Sequence, residues 1–247
     1  MLDLASTKEI ILKFIVETME ESGAKGAVIG LSGGIDSSLC AALLTEAIGR
    51  DRVLGLLLPC ESSKSDIDDG LLIARHLGIR YKTIDLTGTY KSFLADNSQK
   101  PENNLTFANI KPRLRMTTLY FHAAKEGFLV AGTSNKSELV TGYLTKYGDG
   151  GVDFEPLADL LKMEVFELAR MMKIPQRLID KTPTAGLLLN QTDEAEMGFT
   201  YNDLDRFIET GIGEPEIASK ILRMYTKSRH KIIGPKMLKL DRKFHLK

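Results

Sequence analysis

Short apolar runs alternate along the chain with longer segments in which apolar residues recur every three or four positions, and glycines punctuate the joins. "GAVIGL" (26–31) reads as a buried strand, "SGGID" as a tight turn, and "SSLCAALLTEAIG" as a helix closing on Gly49. "RVLGLLLP" (52–59) predicts the next strand, and the helix "SKSDIDDGLLIARHLG" after it has serine and aspartate at its start and Gly78 at its end. "RYKTIDL" (80–86) predicts a third strand and "FLVAGT" (128–133) a fourth. Between them, 103–127 is helical from about Pro112, a residue suited to a first turn. Strands alternating with crossover helices predict a parallel sheet covered on both faces: a doubly wound α/β fold, as a single domain over residues 1–247.

The two ends of the chain depart from this alternation. "MLDLASTKEIILKFIVETMEES" predicts an amphipathic helix and lacks the basic segment and uninterrupted apolar core of a secretory leader. "TGYLTKYGDGGVDFEP" (141–156) is glycine-rich, polar, aromatic and too long for an ordinary connection, which marks it as a functional loop. A helix over 160–173 follows, and the basic end "KMLKLDRKFHLK" reads as solvated.

Composition narrows the class. A chain of 247 residues can bury one substantial core but leaves no room for a second catalytic domain. Its 33 basic and 33 acidic residues cancel, which argues against a nucleic-acid partner and for a small-molecule substrate. Cys40 and Cys60 form no CxxC pair, and His76, His122, His230 and His245 have no metal-ligand spacing. No apolar run is long enough to cross a membrane, so the expected location is the cytoplasm.

The turn after the first strand carries the chemistry. In an open parallel sheet, ligands bind beyond the carboxyl ends of the strands. There Ser32, Gly33 and Gly34 let backbone N–H groups converge, and the next helix adds its positive end, so an anion is the natural occupant. The turn is neither a Walker A sequence nor GxGxxG, and it contains an aspartate where a lysine is usual. A carboxylate beside a phosphate cradle needs a bridging cation, so Asp36 implies magnesium shared with a polyphosphate. The plainer alternative is a strand-to-helix turn capped by Ser32 and Asp36.

"SGGIDSS" after a strand resembles the pyrophosphate loop of the N-type ATP pyrophosphatases, whose fold is the adenine nucleotide alpha hydrolase type and which cleave ATP between the α- and β-phosphates. Together with "NIKPRLRM" (109–116), "AGTSNKSELVTGYLTKYGDGGVDFEPL" (131–157), "KTPTAGL", "QTDEAEMGFTY" and "SRHK" (228–231), it resembles NAD synthetase in order and spacing. The resemblance implies a ligase of NAD biosynthesis: the carboxylate of deamido-NAD attacks the α-phosphorus of ATP, pyrophosphate leaves, and ammonia displaces AMP from the adenylate. Mg2+ is the implied metal and ATP the co-substrate.

Residue by residue, the resemblance implies an ATP site of Gly30, Leu31, Ser32, Gly33, Gly34, Ile35, Asp36, Ser37, Thr133, Lys162 and Thr184, with Asp36 and Glu138 as magnesium carboxylates. Arg113, Lys146, Asp153, Glu196, His230 and Lys231 are implied on the deamido-NAD side, and Arg115, two positions after Arg113, should face elsewhere on its helix. Asp149 and Glu196 are the candidates to receive ammonium. The chain departs from the family pattern at Thr184-Ala185-Gly186, where the family commonly has Thr-Ala-Asp, and in a shorter connection to "QTDE". With no nitrilase-type glutaminase domain expected, free ammonia is the implied nitrogen donor, although a separate glutaminase subunit is compatible; the family's homodimer is implied as well. The competing readings are another enzyme of the superfamily, GMP synthetase-like or tRNA-thiolating, and a non-catalytic nucleotide-binding module.

Overall fold

The computed structural model describes residues 2–100, 102, 104–184 and 192–238. Helix α1 (Leu4–Ser22) starts where the Asp3 side chain accepts the Ala5 N–H, ends on a left-handed Gly23, and buries Ile11, Ile15 and Met19 along one stripe. Then come β1 (Ala27–Gly30), α2 (Ile35–Ile48), β2 (Val53–Leu57), α3 (Lys64–Leu77) and β3 (Arg80–Thr83). They are followed by α4 (Thr87–Asp96), α5 (Leu105–Ala108), α6 (Ile110–Glu126) and β4 (Leu129–Ala131). The last third is helical: α7 (Lys136–Thr141), α8 (Lys162–Met171), α9 (Gln176–Ile179), α10 (Asp193–Met197), α11 (Tyr201–Thr210) and α12 (Pro215–Ile232).

The four strands pair in the order β3-β2-β1-β4, all parallel, with Ala27 beside Val53 on one side and Leu129 on the other. The doubly wound expectation holds. The chain leaves β1 toward β2 and later crosses to β4 on the opposite side, which opens a crevice at the carboxyl end of β1. One core packs α1, α2, α3, α8 and α9 on one face through Ile15, Leu39, Leu43, Ile73, Val165 and Leu168. The other face is covered by α4 and α6 over Val28, Leu54, Leu56 and Val130. A third cluster, Met197, Phe199, Tyr201, Leu204 and Ile221, joins α10, α11 and α12 and takes in Val140 of α7. Among the described residues no helix is long and apolar enough to cross a membrane.

Helix α6 begins at Ile110, two residues before Pro112, because an N–H in the first turn has no intrahelical acceptor and the proline loses nothing there. β4 is short, and a second layer of bonds fixes its end. The Gly132 N–H donates to the Phe154 carbonyl at 2.8 Å and the Ser134 N–H to the Glu155 carboxylate at 3.0 Å. Gly132 is required there, since a Cβ would fall within 2.4 Å of all three atoms of that carboxylate. Burial pushes the Glu155 carboxyl up to about 8, the Ser134 hydrogen bonds opposing.

Gly142, the left-handed cap of α7, lies so close to α12 that a Cβ would sit 2.0 Å from that of Ser228. Gly142→Ala therefore combines backbone strain with a clash and should cost about 3 kcal/mol, roughly 6–12 °C in a thermal melt. Gly23→Ala, at the same kind of cap but with open space around it, should cost only about 1 kcal/mol. The Glu155 carboxyl generates a pH effect as well. Its folded-state value is raised above the unfolded one, so the folded chain holds the proton longer and this group's contribution to stability falls as pH rises from about 4.5 to 8. Glu155→Gln should remove up to about 1.4 kcal/mol per pH unit of that slope, read by denaturant titrations across the window.

Candidate active site at the carboxyl edge of the sheet

A cavity of about 410 Å³ opens beyond β2, β1 and β4, lined among others by Gly30, Leu31, Ser32, Gly34, Ile35, Asp36 and Ser37. The turn is built as its residue types dictate. Gly33 takes φ +76°, and a Cβ on it would come within 2.7 Å of the Asp66 carbonyl and the Asp69 side chain, so the turn lies flat on α3. Gly33 itself supports the turn from below and does not line the cavity. The Gly34 N–H donates to Ser32 Oγ at 3.2 Å, Ser32 Oγ meets Ser37 Oγ at 3.0 Å, and α2 begins at Ile35 with Asp36 in its first turn. No side chain caps α2, which leaves its first N–H groups to face the cavity.

Across the crevice, Asn135 caps α7 in a capping box with Glu138. The Asn135 amide also donates to Asp36 Oδ1 at 2.8 Å. Lys162, the first residue of α8, projects between the two acids, with Nζ 2.6 Å from Asp36 Oδ2 and 3.1 Å from Glu138 Oε1. Its side chain is 1% exposed. Burial alone would push the Lys162 ammonium down, but the Asp36 and Glu138 charges outweigh it and hold the group above its ordinary range. Burial pushes the Glu138 carboxyl up; Lys162 opposes this and the Asp36 charge adds to it. Behind the trio, Asp205 fixes the geometry, accepting from Ser137 Oγ at 2.5 Å and from the Met163 N–H at 2.9 Å, while the Lys162 N–H donates to Ser137 Oγ. The Tyr201 ring lies 5.1 Å from Lys162 Nζ.

Thr133, Asp149, Thr184, Glu196 and Lys231 also line the cavity. Asp149 is exposed to the cavity, where loss of bulk solvent around it pushes its carboxyl up, and it accepts the Thr145 N–H at 3.0 Å. Glu196 accepts the Tyr143 hydroxyl at 2.7 Å. Lys231 donates to the Gly142 and Leu144 carbonyls, both at 2.8 Å. Arg113, Lys146 and His230 lie together outside the cavity, with Arg113 Nε donating to the Lys146 carbonyl and Lys146 Nζ to the His230 carbonyl. Asp153 stands apart from that group: one carboxylate oxygen accepts the Val130 N–H of β4 at 2.7 Å and the other the Tyr120 hydroxyl of α6 at 3.0 Å. Gly186 and the connection to Gln191 lie outside the described residues.

Two cations escape a reading of sequence alone. Arg115 lines the cavity, with Nε donating to the Leu58 carbonyl at 3.0 Å, whereas Arg113 is not part of the lining. The i, i+2 rule separates the two correctly, but only the packing of α6 says which of them faces inward. Lys181 arrives from a segment 148 residues from the turn and sets Nζ 3.4 Å from the Gly33 carbonyl, 2.7 Å from Asp66 Oδ1 and 2.9 Å from Asp69 Oδ2. The lysine missing from the turn is thus supplied at long range. No local signal in "DKTPT" announces this. Arg177 Nε lies 2.7 Å from the buried Asp69 Oδ1 as an ion pair without hydrogen-bond alignment.

The donor set fits a hard dication. Asp36 and Glu138 offer oxygens that converge on one point, and a magnesium ion needs only one or two carboxylates when phosphate and water complete its shell. Among the described residues no group of three or more His, Cys, Asp or Glu could hold a metal by itself. Any ion here must share its coordination with a ligand.

Residues 7–235 match the family model described as NAD synthase. The NH(3)-dependent NAD(+) synthetase of Carboxydothermus hydrogenoformans is 45% identical over 90% of this chain and 93% of its own. Among solved structures, the NMN synthetase from Francisella tularensis superposes with a TM-score of 0.92 at 33% identity, covering 97% of this chain and 100% of that one. The NH3-dependent NAD synthetase from Campylobacter jejuni, solved with a nitrate ion, gives 0.80 at 30% identity with the same coverage. The chain belongs to the NAD synthase family.

Proposed function

We propose that this chain is an ammonia-dependent ligase that amidates the nicotinate carboxylate of deamido-NAD and converts ATP to AMP and pyrophosphate. The observation that carries the reading is the Asp36–Lys162–Glu138 trio beside a cradle of main-chain amides. Curated relatives named for this reaction support it. The cradle and the α2 N-terminus receive the β- and γ-phosphates. Lys162 lies where it meets the transferring phosphate, and its charge offsets part of what develops as the carboxylate oxygen bonds to the α-phosphorus. Thr133 and Thr184 orient the nucleotide. Mg2+, held by Asp36 and Glu138, would neutralise the polyphosphate and polarise its phosphorus.

On the other side, Lys231 in the cavity and Arg113, Lys146 and His230 at its rim form the cationic wall for the dinucleotide. Asp149 and Glu196 attract ammonium and accept its proton before ammonia attacks. Asp153, which also holds β4 through the Val130 N–H, contributes to the same side. The chain works as one catalytic domain, as a homodimer, in the cytoplasm. The names of its curated relatives support free ammonia as the nitrogen donor.

A second reading shares the chemistry and differs in the acid. The superposition on the Francisella NMN synthetase, 0.92 against 0.80 for the Campylobacter enzyme, favours a mononucleotide substrate whose amidation gives NMN. Incubation with ATP, magnesium, ammonium and either deamido-NAD or nicotinic acid mononucleotide should give AMP, pyrophosphate and the amide, with glutamine a poor substitute for ammonium. The ratio of kcat/KM for the two acids decides between the readings, and no AMP with either acid would refute both. Asp36→Asn should keep the fold at a cost of about 2 kcal/mol and slow pyrophosphate release by about 10²–10³-fold. Circular dichroism and a phosphate-coupled assay on the same preparation check the two halves of that expectation.

A further inference from the structure

We infer that Lys181 is a catalytic residue whose ammonium takes up the departing pyrophosphate, an inference that rests on the ATP-cleaving reading above. The cradle residues 32–38 bring amides, hydroxyls and one carboxylate, but no positive side chain. Cleavage of the α–β bond leaves the bonding electron pair on the bridging oxygen, which becomes a pyrophosphate oxygen, while the acid's carboxylate oxygen takes its place on the α-phosphorus. No proton moves, so the new negative charge must be met by cations already in position.

Lys162 is committed to Asp36 and Glu138 on the β4 side. Lys181 stands on the opposite side of the turn, lining the same cavity, with Nζ at the Gly33 carbonyl. Asp66 and Asp69 aim it there, and the exchange of one carboxylate for a phosphate oxygen is open to it. Asp69 keeps Arg177 and Asp66 keeps the Ser63 hydroxyl, so neither acid is stranded when the ammonium turns to the phosphate. Its side chain is 22% exposed, which leaves it the freedom to turn that the buried Lys162 lacks. Thr184 follows three residues later on the same segment, so pyrophosphate contact at Lys181 also seats the nucleotide side of that segment.

The test separates the two half-reactions. In Lys181→Met, ATP–pyrophosphate exchange in the presence of the acid and absence of ammonia should fall by about 10²-fold or more, while aminolysis of adenylate already formed on the enzyme keeps its rate. Calorimetry with pyrophosphate in magnesium buffer should show affinity weakened about ten- to a hundredfold, and Lys181→Arg should recover part of both losses. Exchange and pyrophosphate affinity at the wild-type level would overturn the inference. Equal losses in exchange and aminolysis, with no recovery by arginine, would overturn it too by marking Lys181 as a structural tether. Should the wild type amidate neither acid, the proposed function fails on its own, while the calorimetric comparison still decides for or against Lys181. If the methionine variant does not fold, the arginine variant supplies the same comparison, with weakened pyrophosphate affinity at unchanged aminolysis as the expected result and unchanged affinity as the overturning one.

Discussion

The site depends on one buried ammonium. Lys162 is the first residue of α8, Asp36 lies in the first turn of α2 and Glu138 in the first turn of α7, so the ion triad ties three helix starts to one point at the sheet edge. Burying a charge this completely is unfavourable unless it is paired and hydrogen-bonded, and here two acids and the face of Tyr201 surround it. The acids in turn need the lysine, since two carboxylates at that separation repel each other in a poorly solvated site. The arrangement still carries one net negative charge. A polyphosphate entering beside it meets repulsion unless a further cation accompanies it, and this is the electrostatic case for a dication shared between protein and ligand.

The turn after β1 solves a different problem with the opposite means. It contributes no positive charge of its own and relies on geometry: a left-handed Gly33 pressed against α3, two serine hydroxyls bonded to each other, and an α2 start with no side-chain cap. The charges come from elsewhere in the chain. α8 supplies Lys162 from the β4 side and the segment after α9 supplies Lys181 from the α3 side, so the turn can only work once distant parts of the fold have docked around it.

Legibility in the sequence follows the same division between local and long-range causes. The strands, the helix ends at Gly49, Gly78 and Gly127, and the turn itself were readable because each is set by a few adjacent residues: apolar runs, left-handed caps, clustered small residues. Boundaries shifted where apolar or helical patterning runs past the paired or bonded residues: the third strand, expected over 80–86, ends at Thr83, the fourth, expected to 133, ends at Ala131, and α6 begins at Ile110, two residues before Pro112. Asp205, Arg115 and Lys181 were not legible. Asp205 acts across 68 residues on Ser137, Arg115 faces inward only because of how α6 lies on β1 and β4, and Lys181 looks like an ordinary solvated lysine until α3 is placed beneath it. Asp153 adds a structural task that its place beside the glycine loop does not announce: its carboxylate accepts the Val130 N–H of β4 and the Tyr120 hydroxyl.

The cations around the cavity fall into two kinds, and the difference bears on how two anionic substrates come together. Lys162 and Lys181 are each balanced by two carboxylates, so they contribute position more than attraction. Arg115 and Lys231 line the same cavity but rest on carbonyl oxygens, and among the described residues neither forms an ion pair. Burial disfavours the charged form of both, which means an entering anion restores what the protein withholds. Attraction therefore arises at the β2 end and at the α12 end of the cavity, while alignment is enforced between them. An anion drawn from either side arrives beside the triad, whose remaining negative charge a dication shared with the ligand would offset, so the charges that meet the bond-making step are already aligned.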